Sequence, residues 1–130
     1  MLTGQCLCGA VRYQIEDALL YAGYCHCSRC RRRSGSAFST YAGIEISKLR
    51  VVDGHTQLLA LDESAEGYDC TCSVCFSPLY SVVRNREYVH VRLGSLNDTP
   101  SRFPDHHIYV GSKAPWHQIT DDLPQYDELP

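Results

Sequence analysis

Short stretches of alternating apolar and polar residues dominate the pattern of this sequence. In residues 88–93 the side chains of Val89, Val91 and Leu93 fall on one face of an extended chain, which is the period of a half-buried β-strand. Five further stretches contain valine, isoleucine or tyrosine and lie between turns of serine, glycine, proline and aspartate. The predicted strands are residues 10–15, 38–42, 49–52, 79–83, 88–93 and 107–110.

Helical periodicity is weak throughout the chain. We expect helix only in short turns, one after Cys27 and one around residues 44–49, where the apolar spacing is ambiguous. No linker or low-complexity tract divides the sequence, and 130 residues is the size of one ordinary domain. The sequence therefore predicts a mainly β fold with irregular connections, in a single domain over residues 1–130.

Composition and charge narrow the classes of partner. The formal net charge is -3, which gives no electrostatic reason to expect nucleic acid or an acidic membrane as the main partner. The first residues lack the basic and apolar regions of an export signal, and no apolar run approaches the roughly 20 residues that span a bilayer. We therefore expect a cytoplasmic protein whose partners are small molecules or proteins.

Eight cysteines are the strongest chemical signal in the sequence. In a reducing compartment, thiols stay reduced unless they bind metal or take part in redox chemistry. A C-x-x-C turn directs two sulfurs towards one point, and zinc takes four ligands in a tetrahedron, so that two cysteine groups can close one site. The three groups are Cys6 and Cys8; Cys25, Cys27 and Cys30; and Cys70, Cys72 and Cys75.

Disulfide bonds and a redox-active C-x-x-C are the alternative explanations of these cysteines. Close clustering in a chain with no export signal favours metal over disulfides. A redox C-x-x-C would precede a helix in a βαβ unit, and the sequence contains no such unit. A four-thiolate site would tie distant segments together, whereas a zinc held by three cysteines would keep one position open for a substrate thiol.

Four motifs carry a family resemblance: GQCLCGAVRY at residues 4–13, CHCSRCR at 25–31, CSVCFSPL at 72–79 and HIYVGSKAPW at 107–116. They resemble the glutathione-dependent formaldehyde-activating enzymes, whose domain is shared with centromere protein V. The likeness covers nearly the whole chain. It implies an Mss4-like fold, in which short strands form small antiparallel sheets that are stapled together by zinc.

The resemblance also implies two zinc ions and an activity. The family is classed with the carbon-sulfur lyases and joins glutathione to formaldehyde as S-hydroxymethylglutathione, with no organic cofactor. The expected activity is therefore S-(hydroxymethyl)glutathione synthase-like, on glutathione or a similar thiol and on formaldehyde or a small aldehyde. The implied ligands are Cys6, Cys8, Cys72 and Cys75 for a structural zinc, and Cys25, Cys27 and Cys30 for a catalytic zinc.

Two residues depart from the family pattern. Phe76 follows the last C-x-x-C, where the family usually has glycine, and we expect an altered turn there. Cys70 is an additional cysteine, which we interpret as a spare thiol. The alternatives for Cys70 are a redox-sensitive thiol and a fourth ligand for the second metal.

A run of arginines, Arg29, Arg31, Arg32 and Arg33, surrounds the C-H-C-x-x-C motif. As a group these arginines could hold the carboxylates of glutathione. The alternatives are a solvated turn, which we favour for any single arginine, and a nucleic-acid patch.

Histidines and the single tryptophan are not predicted to bind metal. His26 lies between two ligand cysteines, and we expect its ring to point away from the metal. We interpret Trp116 as a packing anchor. The histidines expected to be surface or strand residues are His55, His90, His106, His107 and His117.

Two functions compete with the enzyme hypothesis. A noncatalytic zinc-binding module for protein interaction would have two closed sites and an exposed apolar patch, because a fold by itself does not fix function. A nucleic-acid-binding zinc domain is suggested only by the arginine run, and the overall negative charge argues against it.

Overall fold

The computed structural model describes residues 1–130. Ten strands, one α-helix and four short 3-10 helices follow one another along the chain. The α-helix has seven residues, far fewer than a membrane crossing requires. The elements are β1 (Leu2–Gln5), β2 (Arg12–Ile15), β3 (Tyr21–Cys25), α1 (Ser28–Ser34), β4 (Ser39–Glu45), β5 (Leu49–Asp53), β6 (Leu58–Leu61), β7 (Tyr68–Cys72), β8 (Pro78–Val83), β9 (Tyr88–Val91) and β10 (His107–Ile108).

Two sheets organise these strands. Strands β1, β2 and β5 form a three-stranded sheet in that order, and the others form a seven-stranded sheet in the order β10-β3-β4-β9-β8-β7-β6. Neighbours are antiparallel except for β10, which runs parallel to β3. The predicted mainly β fold is confirmed, although the second sheet is wider than the small sheets expected and contains this parallel pair.

The main core lies where the apolar faces of the two sheets meet. Ile15 from β2, Ile44 from β4 and Val89 from β9 are each fully buried in one cluster of 16 residues. Tyr13 is also fully buried, and its ring crosses Gly4 so closely that a Cβ there would overlap the ring. Glycine at position 4 therefore allows β1 to lie against Tyr13 and to deliver the cysteine turn that follows.

The predicted strands all overlap observed strands, but four strands were missed. Alternation is confirmed over Tyr88–Val91, because Val89 and Val91 are both fully buried on β9, whereas Leu93 begins a 3-10 turn after the strand. Residues 107–110 form only a two-residue strand before a 3-10 turn begins at Val110. The missed strands are β1, β3, β6 and β7.

The two predicted helical turns had different outcomes. The turn after Cys27 is confirmed as α1. Around residues 44–49 the only helix is the 3-10 turn Ile46–Lys48, because β4 continues to Glu45 and β5 begins at Leu49.

Residues 124–128 lie along the outer side of β10. The amide of His107 donates to the carbonyl of Pro124 at 2.9 Å, and the amide of Tyr126 donates back to His107 at 3.0 Å. The amide of Tyr109 donates to the carbonyl of Glu128 at 2.9 Å. Strand β10 therefore has a hydrogen-bonded partner on both sides, with β3 on one side and residues 124–128 on the other.

Candidate metal centres and the adjoining cavity

Four cysteines from the two ends of the first 75 residues converge on one point. We call Cys6, Cys8, Cys72 and Cys75 the four-cysteine cluster, because their sulfurs all lie within 4.8 Å of one another. The Sγ atoms of Cys6 and Cys8 are 3.6 Å apart, and those of Cys8 and Cys72 are 3.9 Å apart. Sulfurs at about 2.3 Å from a tetrahedral zinc would be about 3.8 Å apart. The cluster therefore has the dimensions of a closed zinc site.

Tight turns after β1 and β7 place these sulfurs. Gly9, at φ +79°, closes the first turn, and its amide donates to the carbonyl of Cys6 at 3.2 Å. Backbone amides also point at the sulfurs, from Val11 to Cys6 Sγ and from Val74 to Cys72 Sγ, each at 3.3 Å. Amide donors of this kind stabilise thiolates, which are the form that binds metal.

The second turn contains Phe76 in the left-handed backbone region, at φ +62°. Its amide donates to the carbonyl of Cys72 at 2.9 Å, and the Ser77 hydroxyl lies 3.2 Å from Cys75 Sγ. That hydroxyl hydrogen bond, with backbone donors, lowers the pKa of Cys75 to about 5. Phe76 thus occupies the region that glycine favours, and the cysteines still converge.

A second set of sulfurs lies at the junction of β3 and α1. We call Cys25, Cys27 and Cys30 the three-cysteine cluster, and their sulfurs also lie within 4.8 Å of one another. Cys27 is the N-cap of α1, and its sulfur accepts from the amide of Cys30 at 3.3 Å. The helix ends at Gly35, which adopts the left-handed conformation at φ +65°.

Hydrogen bonding within the three-cysteine cluster separates the acidities of its thiols. The hydrogen bond from Cys30 lowers the pKa of Cys25, and the same bond, followed by burial, raises the pKa of Cys30. One thiolate is thereby stabilised by a neighbour that keeps its proton. All three sulfurs would ionise together only around a cation, and a tetrahedral cation would have one position that these cysteines do not fill.

His26 lies behind the three-cysteine cluster, with its ring fully buried. Its Nε2 lies 2.8 Å from Nδ1 of His107, and Nε2 of His107 lies 3.0 Å from the Asp121 carboxylate. Burial, followed by the charges of His107 and His117, lowers the pKa of His26 to about 4. His26 contributes no donor atom to the cluster, as expected.

The other histidines and the tryptophan differ in burial, and not all as the sequence predicted. His55 is exposed, whereas His107 is buried in β10 with 3% of its surface exposed. Trp116 is 72% exposed, so the interpretation as a packing anchor is wrong. Its ring meets the edge of His117, which also packs on Phe38.

A cavity of about 330 Å³ opens beside the three-cysteine cluster. Cys25 and Cys30 line one wall, and strands β4 and β9 contribute Tyr41 and His90. Burial, followed by the charges of Arg92 and Arg84, lowers the pKa of His90 to about 4, so this imidazole is neutral at pH 7. The sequence alone did not place Tyr41 or His90 beside these cysteines, because β3, β4 and β9 become neighbours only in the folded sheet.

Two arginines of the run are paired with carboxylates of the chain itself. Arg29 and Arg33 both contact Asp69, at 3.0 and 3.2 Å, and both contact Asp62. Although burial opposes its ionisation, hydrogen bonds from Ser81 and Arg29 hold the pKa of Asp69 below its usual value. These pairs join α1 to β7, so Arg29 and Arg33 already have carboxylate partners within the chain.

Two other arginines reach the cavity without a carboxylate partner. Arg92 donates to the Ser81 hydroxyl at 2.8 Å, and Arg84 lies over the ring of Tyr88 at 4.2 Å. Neither guanidinium has a carboxylate oxygen within 4.0 Å, and both line the cavity. They were not among the arginines that the sequence pointed to.

None of the eight cysteines is in a disulfide. Cys70 is 3% exposed, belongs to the main core and lies in neither cluster. Burial raises the pKa of its thiol, while a hydrogen bond with Tyr80 opposes the rise. The alternative that Cys70 is a fourth ligand for the second metal is therefore wrong.

Comparison with known proteins identifies related sequences and structures. The family model described as glutathione-dependent formaldehyde-activating enzyme matches residues 1–112. A Sordaria macrospora protein, provisionally named as such an enzyme, is 28% identical over 91 residues, which are 65% of this chain and 38% of that protein. The crystal structure of a Rhodobacter sphaeroides protein is 31% identical with a TM-score of 0.63, over 77% of this chain and 92% of that chain. The match thus spans well under half of the Sordaria protein.

Proposed function

The chain belongs to the family of glutathione-dependent formaldehyde-activating enzymes, which has an Mss4-like fold, and on that premise we propose a zinc-dependent enzyme of the carbon-sulfur lyase type. The reaction adds glutathione, or a similar thiol, to formaldehyde or a small aldehyde and gives S-hydroxymethylglutathione. The reverse reaction breaks the same carbon–sulfur bond. The reduced cysteines that this activity requires fit a cytoplasmic location.

We assign different roles to the two cysteine clusters. The four-cysteine cluster holds a structural zinc, because four thiolates complete a tetrahedron. The three-cysteine cluster holds the catalytic zinc through Cys25, Cys27 and Cys30, which leave one position for a substrate atom. Zinc in such a position supplies a lowered thiol pKa and a Lewis acid for an oxygen.

One observation carries this proposal: the incomplete cluster lies in the wall of a cavity that also contains unpaired positive charge. Cys25 and Cys30 share the cavity with Arg84 and Arg92. Glutathione has two carboxylates, and a guanidinium can bind a carboxylate through two parallel hydrogen bonds. In this proposal the two arginines bind and orient the thiol substrate, in a cavity that is also lined by Asp62, Glu66 and Asp69.

The test measures metal content and catalysis together. Zinc per chain is determined in the wild type and in Cys27→Ser, and exchange between glutathione, formaldehyde and the adduct is followed by NMR. We expect the wild type to accelerate exchange beyond the uncatalysed rate and Cys27→Ser to lose the acceleration. Cys70→Ser is the matched control, because it removes a thiol that lies outside both clusters. A fully metallated wild type that accelerates nothing would disprove the enzyme proposal.

A second candidate function is a noncatalytic zinc-binding module for protein interaction. Three apolar side chains around the four-cysteine cluster support it, since Leu7 is 87%, Val74 60% and Phe76 67% exposed. Exposed apolar residues grouped at one place are typical of protein-binding surfaces. Replacing all three by serine would leave exchange unchanged under the enzyme proposal, because none of them lines the cavity.

A further inference from the structure

A chain of three hydrogen-bonded side chains runs from the cavity to the surface. Tyr41 of β4 lines the cavity together with Cys25 and Cys30. Its hydroxyl lies 2.7 Å from Nε2 of His106, and Nδ1 of the same ring lies 2.7 Å from Oδ1 of Asp105. Tyr41 is 6% exposed, whereas the Asp105 side chain is 57% exposed. The chain therefore connects a buried wall of the cavity with solvent.

The chemistry of the partners leaves two arrangements of these hydrogen bonds. An ionised carboxylate only accepts, so Nδ1 of His106 carries a proton in both, and in the ring with that one proton Nε2 is an acceptor. In this tautomer the Tyr41 hydroxyl donates to Nε2 and keeps oxygen lone pairs free for another donor. If the ring gains a proton, Nε2 donates to the Tyr41 oxygen, and the tyrosine proton becomes available to another acceptor.

The backbone around this pair leaves room for it. Gly23 of β3 lies beneath both groups, and a Cβ at that position would be 2.8 Å from Nε2 of His106 and 2.9 Å from the Tyr41 oxygen. The amide of Tyr24 donates to the carbonyl of His106 at 2.9 Å, and the amide of Asp105 donates to Ala22 at 3.1 Å. The strand that ends at Cys25 thus also fixes the position of the His106 ring.

We propose that Tyr41 is a catalytic residue that exchanges a proton with the oxygen of the aldehyde or of its thiol adduct. His106 takes that proton from Tyr41, and Asp105 is a positioning residue that holds the ring in the required tautomer. This inference rests on the proposed function and adds the group that moves the proton.

The proton and electron pairs can be followed through each step. In adduct breakdown, the hydroxyl proton passes to the Tyr41 oxygen while the tyrosine proton passes to Nε2 of His106. The freed O–H electron pair becomes the second C–O bond, and the C–S bond breaks with its electron pair on sulfur. The imidazolium is stabilised by the Asp105 carboxylate. In synthesis every transfer reverses, and a sulfur electron pair forms the C–S bond.

The fold supplies a matched control on the neighbouring strand. The Tyr21 hydroxyl lies 2.7 Å from Nε2 of His90, so this pair repeats the Tyr41–His106 bond. Tyr21 does not line the cavity, and His90 has no carboxylate partner. Tyr21→Phe therefore removes the same kind of hydrogen bond without interrupting a path for protons.

The experiment compares exchange kinetics in Tyr41→Phe, His106→Gln and Tyr21→Phe by NMR, in H2O and in D2O. We expect Tyr41→Phe to lower kcat about 100-fold while KM changes by less than about threefold. His106→Gln should also lose kcat, because glutamine can accept the tyrosine hydrogen bond but cannot take up its proton. Tyr21→Phe should keep the wild-type kcat. The solvent deuterium effect on kcat should be the same in the wild type and Tyr21→Phe, and should change in Tyr41→Phe.

Each outcome separates this inference from the proposed function. A wild type that accelerates no exchange would reject the proposed function, and this inference with it. An active wild type with an equally active Tyr41→Phe would overturn the inference alone. Equal losses in Tyr41→Phe and Tyr21→Phe would also overturn it, since weaker sheet packing would then account for both. Thermal unfolding of every variant identifies poor folding, and His106→Gln tests the relay with Tyr41 in place.

Discussion

The two cysteine clusters differ first in the length of chain that they bring together. The four-cysteine cluster joins residues that are 64 positions apart, as in the pair Cys8 and Cys72. The three-cysteine cluster uses residues 25–30, which one strand end and one helix turn already hold close. A metal at the first cluster closes a long loop, whereas a metal at the second closes almost none.

The surroundings of the two clusters also differ, in burial and in access to a cavity. Cys6 and Cys72 are 1% and 0% exposed and belong to the main core. Cys25 and Cys30 instead line a cavity that is rich in polar side chains. The comparison indicates that this fold separates a cluster that joins distant segments at the edge of the core from a cluster that faces a cavity.

The largest effect should follow from breaking the four-cysteine cluster. Cys72→Ser should lose one zinc per chain and destabilise the protein by on the order of 5 kcal/mol, because metal binding there contributes folding free energy. Cys70→Ser is a matched control on the same strand, since both thiols are buried but only one lies in the cluster. Cys70→Ser should lower the free energy of unfolding by only about 1–2 kcal/mol and should keep all bound zinc. Zinc analysis and thermal unfolding measure both, and equal losses would contradict the structural role.

Acid should destabilise the cavity region through His90. Its pKa is lowered from 6.5 to about 4 in the folded protein, so between these values the unfolded chain binds more protons and stability falls as pH falls. His90→Gln lacks this group and should lose less stability than the wild type between pH 6.5 and 4, by up to about 3 kcal/mol. Denaturant unfolding across this range measures the difference.

In the difference between the wild type and His90→Gln, the contributions of the other acid-sensitive groups to stability cancel. Protonation of cluster thiols occurs in both proteins and therefore drops out of the difference. Parallel pH profiles in the two proteins would show that His90 is not buried as a neutral ring.

A smaller effect on stability is expected from the three-cysteine cluster. Cys27→Ser should lose the second zinc but destabilise the fold by no more than about 2 kcal/mol, because little loop-closure entropy is involved. Zinc analysis with urea unfolding compares it directly with Cys72→Ser. A loss of stability as large as in that variant would remove the distinction between the two clusters.

The smallest effect concerns the turns that surround the four-cysteine cluster. Phe76→Gly should stabilise the protein by about 0.5 kcal/mol, since relief of left-handed strain slightly exceeds the entropy cost of glycine. Gly9→Ala in the facing turn should destabilise the protein, because Gly9 has φ +79° and alanine would be strained there. An added Cβ at position 9 would meet nothing closer than 3.8 Å, so a steric clash does not contribute to the effect. Opposite shifts in the unfolding midpoint are expected, and shifts of the same sign would refute the strain argument.

Local sequence signals predicted part of this architecture. Strand β9 was readable because Val89 and Val91 alternate with polar residues. Strand β3 was not, since Ala22 and Gly23 have low β-propensity and owe their conformation to pairing with β4. Strand β7 carries Asp69 and Thr71 among its residues, and its pairing with β6 and β8 decides its conformation.

The candidate site was predictable to the extent that its parts are close in sequence. The spacing of the cysteines indicated grouping, and their convergence is what the structure describes. Tyr41, His90 and Arg92 meet at the cavity only through the order of strands, which spacing does not encode. The pairing of Arg29 with Asp69 depends on how α1 lies against β7, which the spacing of the arginines does not encode.

Residues 124–128 cover the outer edge of the seven-stranded sheet at β10. An uncovered β10 would expose free amide and carbonyl groups, and such an edge readily recruits strands from other molecules. The hydrogen bonds of His107 and Tyr109 to this segment occupy that edge. Loss of these few residues would therefore favour intermolecular sheet formation and aggregation, even in a molecule whose cysteine clusters remain intact.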